Sequence, residues 1–405
     1  MNLIPIALFD TMHNIQSANF SQVPAHYNPD DLVHAWRFLK SYTGSQGTFN
    51  SYRREVERLL HWSALVAGKS LKDIKREDIE AFTRFCQNPP TSWIGIKKAP
   101  KFIIHDGQTV PNPEWRPFVV TLSKAAHRKG IELDLKAFEL SQGAVKELFA
   151  IISSFYNYLM QEDYAVMNPV ALIRQKSKFI QKNHGPLQIR RLSELQWQYV
   201  IKTIQALADT APALYERHYF IMSALYGMYL RISELASTAR WTPKMNDFAR
   251  DNDGNWWFTT VGKGNKRRQI AVSDAMLNAL KRWRIHLSLT ALPSPADNSF
   301  LLPKIKGKGP ISSINYIRKI VQKCFDNAIE QLNKDGLSEE AESLIEATVH
   351  WLRHTGISDD VKIRPREHVR DDAGHSSSAI TDKYIDIELR ERHRSAKKKI
   401  ISETD

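Results

Sequence analysis

The chain has 405 residues, 42% of them apolar and ten of them Trp, which is enough for two or more domains with cores of their own and argues against disorder. Its 57 Lys+Arg against 44 Asp+Glu leave a formal charge of +13, which points to an anionic partner, nucleic acid first. The two cysteines, Cys86 and Cys324, argue against a disulfide framework or a Cys-based zinc site, and neither a long apolar run nor a basic, apolar leader is present, so the expectation is a cytoplasmic protein without a membrane span.

Residues 1–29 show no sustained period and end in the turn signal Asn28-Pro29, so they read as a loosely held arm. Asp30 reads as the cap of a helix whose apolar face is Leu32, Ala35, Trp36 and Leu39. A second helix is expected from Thr48 to about Ala67, stopped by Gly68, with Arg53, Arg54 and Arg58 off its apolar face. A third is expected over Lys75 to Cys86. In a fourth, Val145, Leu148, Phe149, Ile152, Tyr156 and Leu159 keep the helical period, with Asn168-Pro169 as its terminator. Between these last two lies an insertion, near 90–135, that is Pro-rich, basic and aromatic, with Trp93, Lys97, Lys98, Lys101 and Trp115. Aromatics among lysines can stack on bases, but an insertion that packs its own tryptophans is the favoured reading. Residues 30–173 thus form a helical module whose candidate DNA contacts are Arg53, Arg54, Lys97 and Lys98.

Residues 174–191 carry Arg174, Lys176, Lys178, Lys182, Arg190 and Arg191 with no acid, and Gly185-Pro186 breaks any helix there. They read as a cationic linker suited to a phosphate backbone. Beyond it, Pro212 to Leu225 reads as a buried helix and Arg231 opens the next. Trp256–Val261 and Arg268–Val272 read as two strands of a hairpin with Lys263 at its tip, after an added loop around Asn246 to Asn255. Segments 274–286, 312–332, 337–346 and 350–362 read as helices. Residues 192–385 make up this second domain, and 386–405 a tail.

Near the end the chain reads His350-Trp-Leu-Arg353-His354-Thr355, then Ala373-Gly374-His375-Ser376, then Tyr384 nine residues after His375. Imidazoles, a guanidinium and a phenol in this order suit an anionic, pentavalent phosphorus better than a carbonyl or a sugar. The stretch resembles the tyrosine recombinase (phage integrase) family, whose signature is His-x-x-Arg, Gly-His-Ser and a tyrosine at this spacing. Leu230-Arg231-Ile232-Ser233-Glu234-Leu235 looks like that family's first arginine box, and Val261-Gly262-Lys263-Gly264-Asn265-Lys266 like the turn that carries its lysine. The resemblance covers roughly residues 190 to 390. The helical module, with Thr48-Phe-Asn-Ser-Tyr52 and Asn168-Pro169, resembles less specifically the SAM-like core-binding domain that precedes the catalytic domain in that family.

The resemblance implies a mainly α protein, with a small antiparallel β-sheet in the catalytic domain, that binds double-stranded DNA at inverted-repeat core sites. It implies a site-specific recombinase or integrase of a mobile element, acting as a tetramer on the nucleoid through a Holliday junction, with a directionality or host accessory protein as a possible partner. Arg231 and Arg353 would grip the scissile phosphate, Lys263 would protonate the 5′-oxygen, and His350 and His375 would complete the cage. Tyr384 would attack to give a 3′-phosphotyrosyl link, and Glu234 would orient Arg231. No cofactor, metal or ATP is implied. The residue types agree: guanidinium is a planar, permanently charged fork for phosphate, whereas a lysine can give up its proton. His350 and His354 have a metal pair's spacing but no third ligand at a matching offset. The resemblance also implies that the tail, with Ile400 and Ile401, docks on a neighbouring protomer.

Two departures stand out. Tyr229 occupies a position where the family usually has glycine, and Asp359, Asp360, Glu367, Asp371 and Asp372 crowd a stretch where it has an apolar helix; these acids are expected on the outer surface. A type IB topoisomerase, or an inactive integrase serving as an accessory DNA-binding protein, are the alternative functions.

Overall fold

The computed structural model describes residues 4–16, 23–173, 179, 190–262, 265–385 and 396–397, and the chain divides into two compact units, Met1–His184 and Gly185–Asp405. No helix among the described residues is long and apolar enough to cross a membrane.

In the first unit, α1 (Pro29–Lys40) is capped by Asn28, whose side-chain oxygen accepts from the N–H groups of Asp30 and Asp31. The cap lies ahead of the expected Asp30 because Pro29 is preorganised for the first helical position, leaving the acids in the first turn, where the helix dipole favours them. Next comes α2 (Gln46–Trp62), which runs into a π-helical turn, Ser63–Ala67, and stops at Gly68 with φ 63°. After α3 (Arg76–Gln87) the insertion forms a parallel pair, β1 (Ile94–Gly95) with β4 (Phe118–Val119), around a hairpin of β2 (Phe102–His105) and β3 (Gln108–Pro111). A short α4 (Lys124–Arg128) leads to α5 (Gln142–Gln161). That helix ends well before Asn168, because Asp163 turns the chain at φ 54°. Asn168 instead ties the following turn back to Ser153 and Asn157 of α5.

The described part of residues 1–29 is not a loose arm. Leu8, Phe9, Ile15 and Tyr27 are buried in the first unit's core, the N–H of Leu8 donates to Glu57 at 2.6 Å, and Trp36 donates its ring N–H to the Ile15 carbonyl at 2.8 Å. Consecutive burial of Ala7, Leu8 and Phe9 follows neither helical nor strand period, so the pattern was invisible to periodicity.

Trp93 and Trp115 are buried, each with its ring against His61, as expected of an insertion that packs its own tryptophans. Lys101 is drawn inward with them and pairs with the buried Glu57. Burial pulls the Lys101 ammonium down to about 8, with Glu57 opposing. The helix-α2 arginines all have partners within this unit, Arg58 buried and Arg53 and Arg54 half-buried. Arg58 donates to the Pro117 carbonyl, Arg54 pairs with Glu55 and Glu147, and Arg53 donates to the Phe9 carbonyl and Asn50. Lys97 is exposed and pairs with Glu114 at 3.0 Å; Lys98 is exposed.

The second unit opens with α6 (Glu194–Thr210), boxed by Ser193 and Gln196, and α7 (Pro212–Gly227), followed by the single turn α8 (Ile232–Leu235). A three-stranded antiparallel sheet then runs in the order β5 (Phe248–Arg250), β6 (Trp256–Val261), β7 (Arg267–Ala271). The expected loop at 246–255 is thus a first strand and a tight turn, in which Asp251 accepts from the Asn255 N–H at 2.8 Å and from the Trp257 ring N–H at 2.8 Å. An aspartate used as a turn cap carries no strand signal, which hid β5. The remaining helices are α9 (Asp274–His286), α10 (Ile314–Lys334), α11 (Ser338–Ile345), α12 (Val349–Asp360), α13 (Arg366–Ala373) and α14 (Ser378–Ile385). Their core includes Trp197, Phe220, Leu225, Trp283, Phe325 and Leu352. Helix α12 lies close against α7 because Gly356 faces it; a Cβ there would overlap the Tyr226 carbonyl.

Candidate active site

Arg231 is the N-cap residue of α8. Its own N–H donates to Glu234 at 2.8 Å and its guanidinium to the same carboxylate at 3.2 Å. Glu234 is buried (1% exposed) and also receives both terminal nitrogens of Arg268 from β7, at 2.6 and 2.9 Å. Burial alone would raise the Glu234 carboxyl, but Arg268 and Arg231 outweigh it and hold it below the usual range. Glu234 therefore stays ionised and fixes Arg231 at the cleft edge.

Arg353 projects from α12 and is buried, donating to the carbonyls of Tyr229 and of Ala373, the latter at 2.6 Å. Burial, with Arg231 and Arg268 nearby, lowers it to about 10, so it remains charged at neutral pH. His375 follows Gly374, which ends α13 in the left-handed conformation (φ 65°) and lies so near Arg268 that a Cβ would come within 2.8 Å of its Cδ. Only glycine meets both demands without strain. The Nδ1 of His375 lies 2.9 Å from the Thr381 hydroxyl, and its ring stacks on Tyr384 at 5.8 Å and 15°. Tyr384, on α14, packs against Tyr229, Ile357, Val369 and Ala373, with its hydroxyl 2.6 Å from Nδ1 of His354.

These groups face one cleft of about 930 Å³. Among the described residues its lining has six cationic side chains, Arg190, Arg231, Lys266, Arg267, Arg268 and Arg353, against the single carboxylate of Asp371. Such an excess in a partly buried space repels its own members and suits an anion. Burial, with Arg353 and Arg231 nearby, depresses His350 and takes His375 to about 4; burial, His350 and Arg353 take His354 to about 4. Burial raises the Tyr384 phenol, with Arg353 and Arg231 opposing.

Of the acids of 359–372, Glu367 and Asp371 lie on the outer surface as expected, whereas Asp359 and Asp360 are half-buried and Asp372 is buried. Asp359 accepts from the Tyr226 hydroxyl at 3.0 Å, and Asp360 from the Tyr229 hydroxyl and from Arg364. Arg364 also donates to the buried Asp372 at 2.6 Å, which accepts from the Ala271 N–H. Tyr229 takes the left-handed conformation (φ 49°) that a glycine would adopt without strain, and its phenol anchors it to this network while its carbonyl holds Arg353.

Arg231, His350, Arg353, His375 and Tyr384 thus converge on the cleft, with Glu234 behind them. Arg190 lines it, and Arg191 lies 3.9 Å from Asp359. Lys263, Arg174, Lys176, Lys178, Lys182 and the tail isoleucines lie outside the described residues. Sequence reasoning missed Arg268 and the contact of His354. Arg268 shares its strand face with the buried Ile270, a two-residue period that would have pointed it inward.

The low values of His354 and His375 carry a stability signature. Their folded values lie below the ordinary 6.5, so between about pH 4 and 6.5 the unfolded chain binds protons that the folded chain does not. Their contribution is complete above pH 6.5 and is lost as the pH falls towards 4. Thermal midpoints measured across this range should decline with acidification, and His354→Gln should flatten part of the slope.

Residues 198–390 match the model of the Phage integrase family. They belong to that family, the tyrosine recombinases. The recombinase is 24% identical over 255 residues to tyrosine recombinase XerC of Bacillus subtilis (strain 168), covering 61% of this chain and 71% of the relative. It is 29% identical over 185 residues to XerC of Alcanivorax borkumensis, covering 45% and 51%. Among solved structures it resembles the XerH site-specific recombinase bound to palindromic difH substrate in a post-cleavage complex, with TM-score 0.57, 15% identity and coverage of 96% of this chain and 93% of that one. It also resembles the Tn1549 transposon integrase in complex with transposon right end DNA, with TM-score 0.52, 17% identity and coverage of 92% and 99%. At these identities the likeness is one of fold: mainly α, with a small antiparallel sheet in the catalytic half.

Proposed function

We propose that the recombinase cuts and rejoins double-stranded DNA at specific sites through a 3′-phosphotyrosyl link to Tyr384, proceeding by a Holliday junction without metal or ATP. The observation that carries this reading is the placement of the Tyr384 hydroxyl in the same cationic cleft as Arg231 and Arg353. The substrate class accords with the charge of +13 and with the DNA named in the XerH and Tn1549 complexes.

Arg231 and Arg353 approach a bound phosphate from two elements and neutralise its non-bridging oxygens as charge builds at phosphorus. His350 and His375 donate hydrogen bonds to the same group. The Tyr384 oxygen forms the new bond to phosphorus, the bond to the 5′-oxygen breaks, and that oxygen takes a proton from Lys263, assigned on its family box. One phosphodiester replaces another, so the 5′-hydroxyl of a partner strand can reverse the step with no energy source. Pairs of inverted half-sites and four protomers give the strand exchange its symmetry. The cations of 174–191 follow the backbone in a sequence-independent way.

A nicked suicide substrate, from which the strand beyond the cut is lost, tests the reading. Wild-type protein should accumulate a DNA-linked band on a denaturing gel, undiminished by EDTA. A band that requires a divalent metal would contradict the metal-free assignment, and relaxation of plasmids without any site would favour a topoisomerase.

A further inference from the structure

We propose that His354 is the general base that takes the proton from Tyr384 during strand cleavage and returns it during rejoining. The proposal rests on the reading of Tyr384 as the nucleophile. Three imidazoles line the cleft with the phenol, and they differ in what they offer it. His375 presents a ring face, stacked at 15°, and its Nδ1 is occupied with the Thr381 hydroxyl at 2.9 Å. A stacked ring offers no lone pair to the phenol proton. His350 sits one helical turn before His354, with ring centroids 6.2 Å apart. His354 directs Nδ1 at the phenol oxygen at 2.6 Å, within the reach a proton transfer requires.

The protonation states agree with this geometry. With its value near 4, His354 is a neutral imidazole at neutral pH, and in the tautomer with the proton on Nε2 its Nδ1 offers a lone pair to the phenol. Burial keeps Tyr384 a phenol, so no phenolate stands ready and attack needs a base. In the resting chain the proton stays on oxygen, because phenol is much the weaker acid. It moves as the oxygen bonds to phosphorus and loses basicity. A bound phosphate raises the affinity of His354 for that proton by offsetting the charge of Arg353. The balance closes: Oη–H breaks and Nδ1–H forms, Oη–P forms and P–O5′ breaks, and O5′ takes the proton of Lys263 to leave as a hydroxyl. In rejoining, the His354 imidazolium protonates the departing Tyr384 oxygen. No external reactant enters.

Single-turnover cleavage of the suicide substrate separates a base from a mere anchor. His354→Asn can still accept a hydrogen bond near the position of Nδ1 but cannot take a proton, and His354→Gln serves as a second variant; half-site binding within about twofold of wild type reports that each has folded. Both should cleave about 10²-fold or more slowly, the span of general base catalysis. Placing the more acidic 2,3-difluorotyrosine at position 384 should recover most of that loss in the His354 variants and little of any loss in His375→Gln or His350→Gln. Added imidazole should accelerate His354→Gly. Cleavage by His354→Asn within about threefold of wild type, or fluorotyrosine rescue confined to a His350 or His375 variant, would overturn the assignment. Absence of any covalent band from wild-type protein would instead remove Tyr384 as nucleophile, and this proposal with it.

Discussion

Tyr384→Phe is expected to eliminate the covalent DNA adduct while leaving half-site binding within about twofold of wild type. The substitution deletes one oxygen and little else. The ring keeps its packing on Tyr229, Ile357, Val369 and Ala373 and its stack on His375, and the lost contact is the hydrogen bond to His354. One such bond contributes about 1 kcal/mol, so the thermal midpoint should move by only a few degrees. The chemical consequence is of another order, since Phe offers no nucleophile and the arginine pair alone has nothing to direct at phosphorus. Denaturing gels run after long incubation on the suicide substrate should show no band above the no-protein control. A band of wild-type intensity would move the nucleophile to another residue.

Arg353→Ala should slow single-turnover cleavage by about 10³-fold or more, the range seen when an arginine that stabilises phosphoryl-transfer charge is removed. A second effect comes with the first. The Arg353 guanidinium holds the Tyr229 and Ala373 carbonyls, and leaving buried carbonyls unpaired costs about 1–3 kcal/mol each unless water enters. Some instability at the turn carrying Arg231 is therefore expected, so rate loss alone is ambiguous. A methylphosphonate at the scissile position resolves it. That substrate lacks one negative charge, so a guanidinium whose role is charge neutralisation becomes less necessary, and the deficit of Arg353→Ala should shrink by about tenfold or more relative to a phosphate substrate. An equal deficit on both substrates would make Arg353 a brace for Tyr229 and Ala373 only.

Legibility in the sequence followed the physics of each element. Helix α5 was plain because its buried residues repeat at the helical period, and β6 and β7 because aromatic and β-branched residues flank a glycine turn. The order and spacing of Arg231, His350, Arg353, His375 and Tyr384 foretold residues that the fold brings to one cleft. Tertiary pairings with no local signature were not legible. Asp360 and Asp372 look like surface acids until Arg364 and the Tyr229 phenol are placed beside them. Tyr229 breaks the glycine preference of its turn, and its partners lie more than a hundred residues away. Likewise Arg53, Arg54 and Arg58 counted as surface charge by composition, whereas Arg53 donates to the Phe9 carbonyl and Asn50, Arg54 pairs with Glu55 and Glu147, and Arg58 is held by Glu55 and the Pro117 carbonyl. His354 read only as half of an i, i+4 pair with His350, because only the position of α14 shows what its Nδ1 faces.

The most direct measurement of the central claim is chemical mapping of the trapped complex. Wild-type protein would be incubated with a suicide substrate labelled separately on each side of the nick, the adduct digested with nuclease and protease, and the nucleotide-bearing peptide sequenced by mass spectrometry. The account predicts one modified peptide, bearing a nucleotide 3′-phosphate on the oxygen of Tyr384, and a released strand with a free 5′-hydroxyl. Attachment at any other residue, or through a 5′-phosphate, would contradict it.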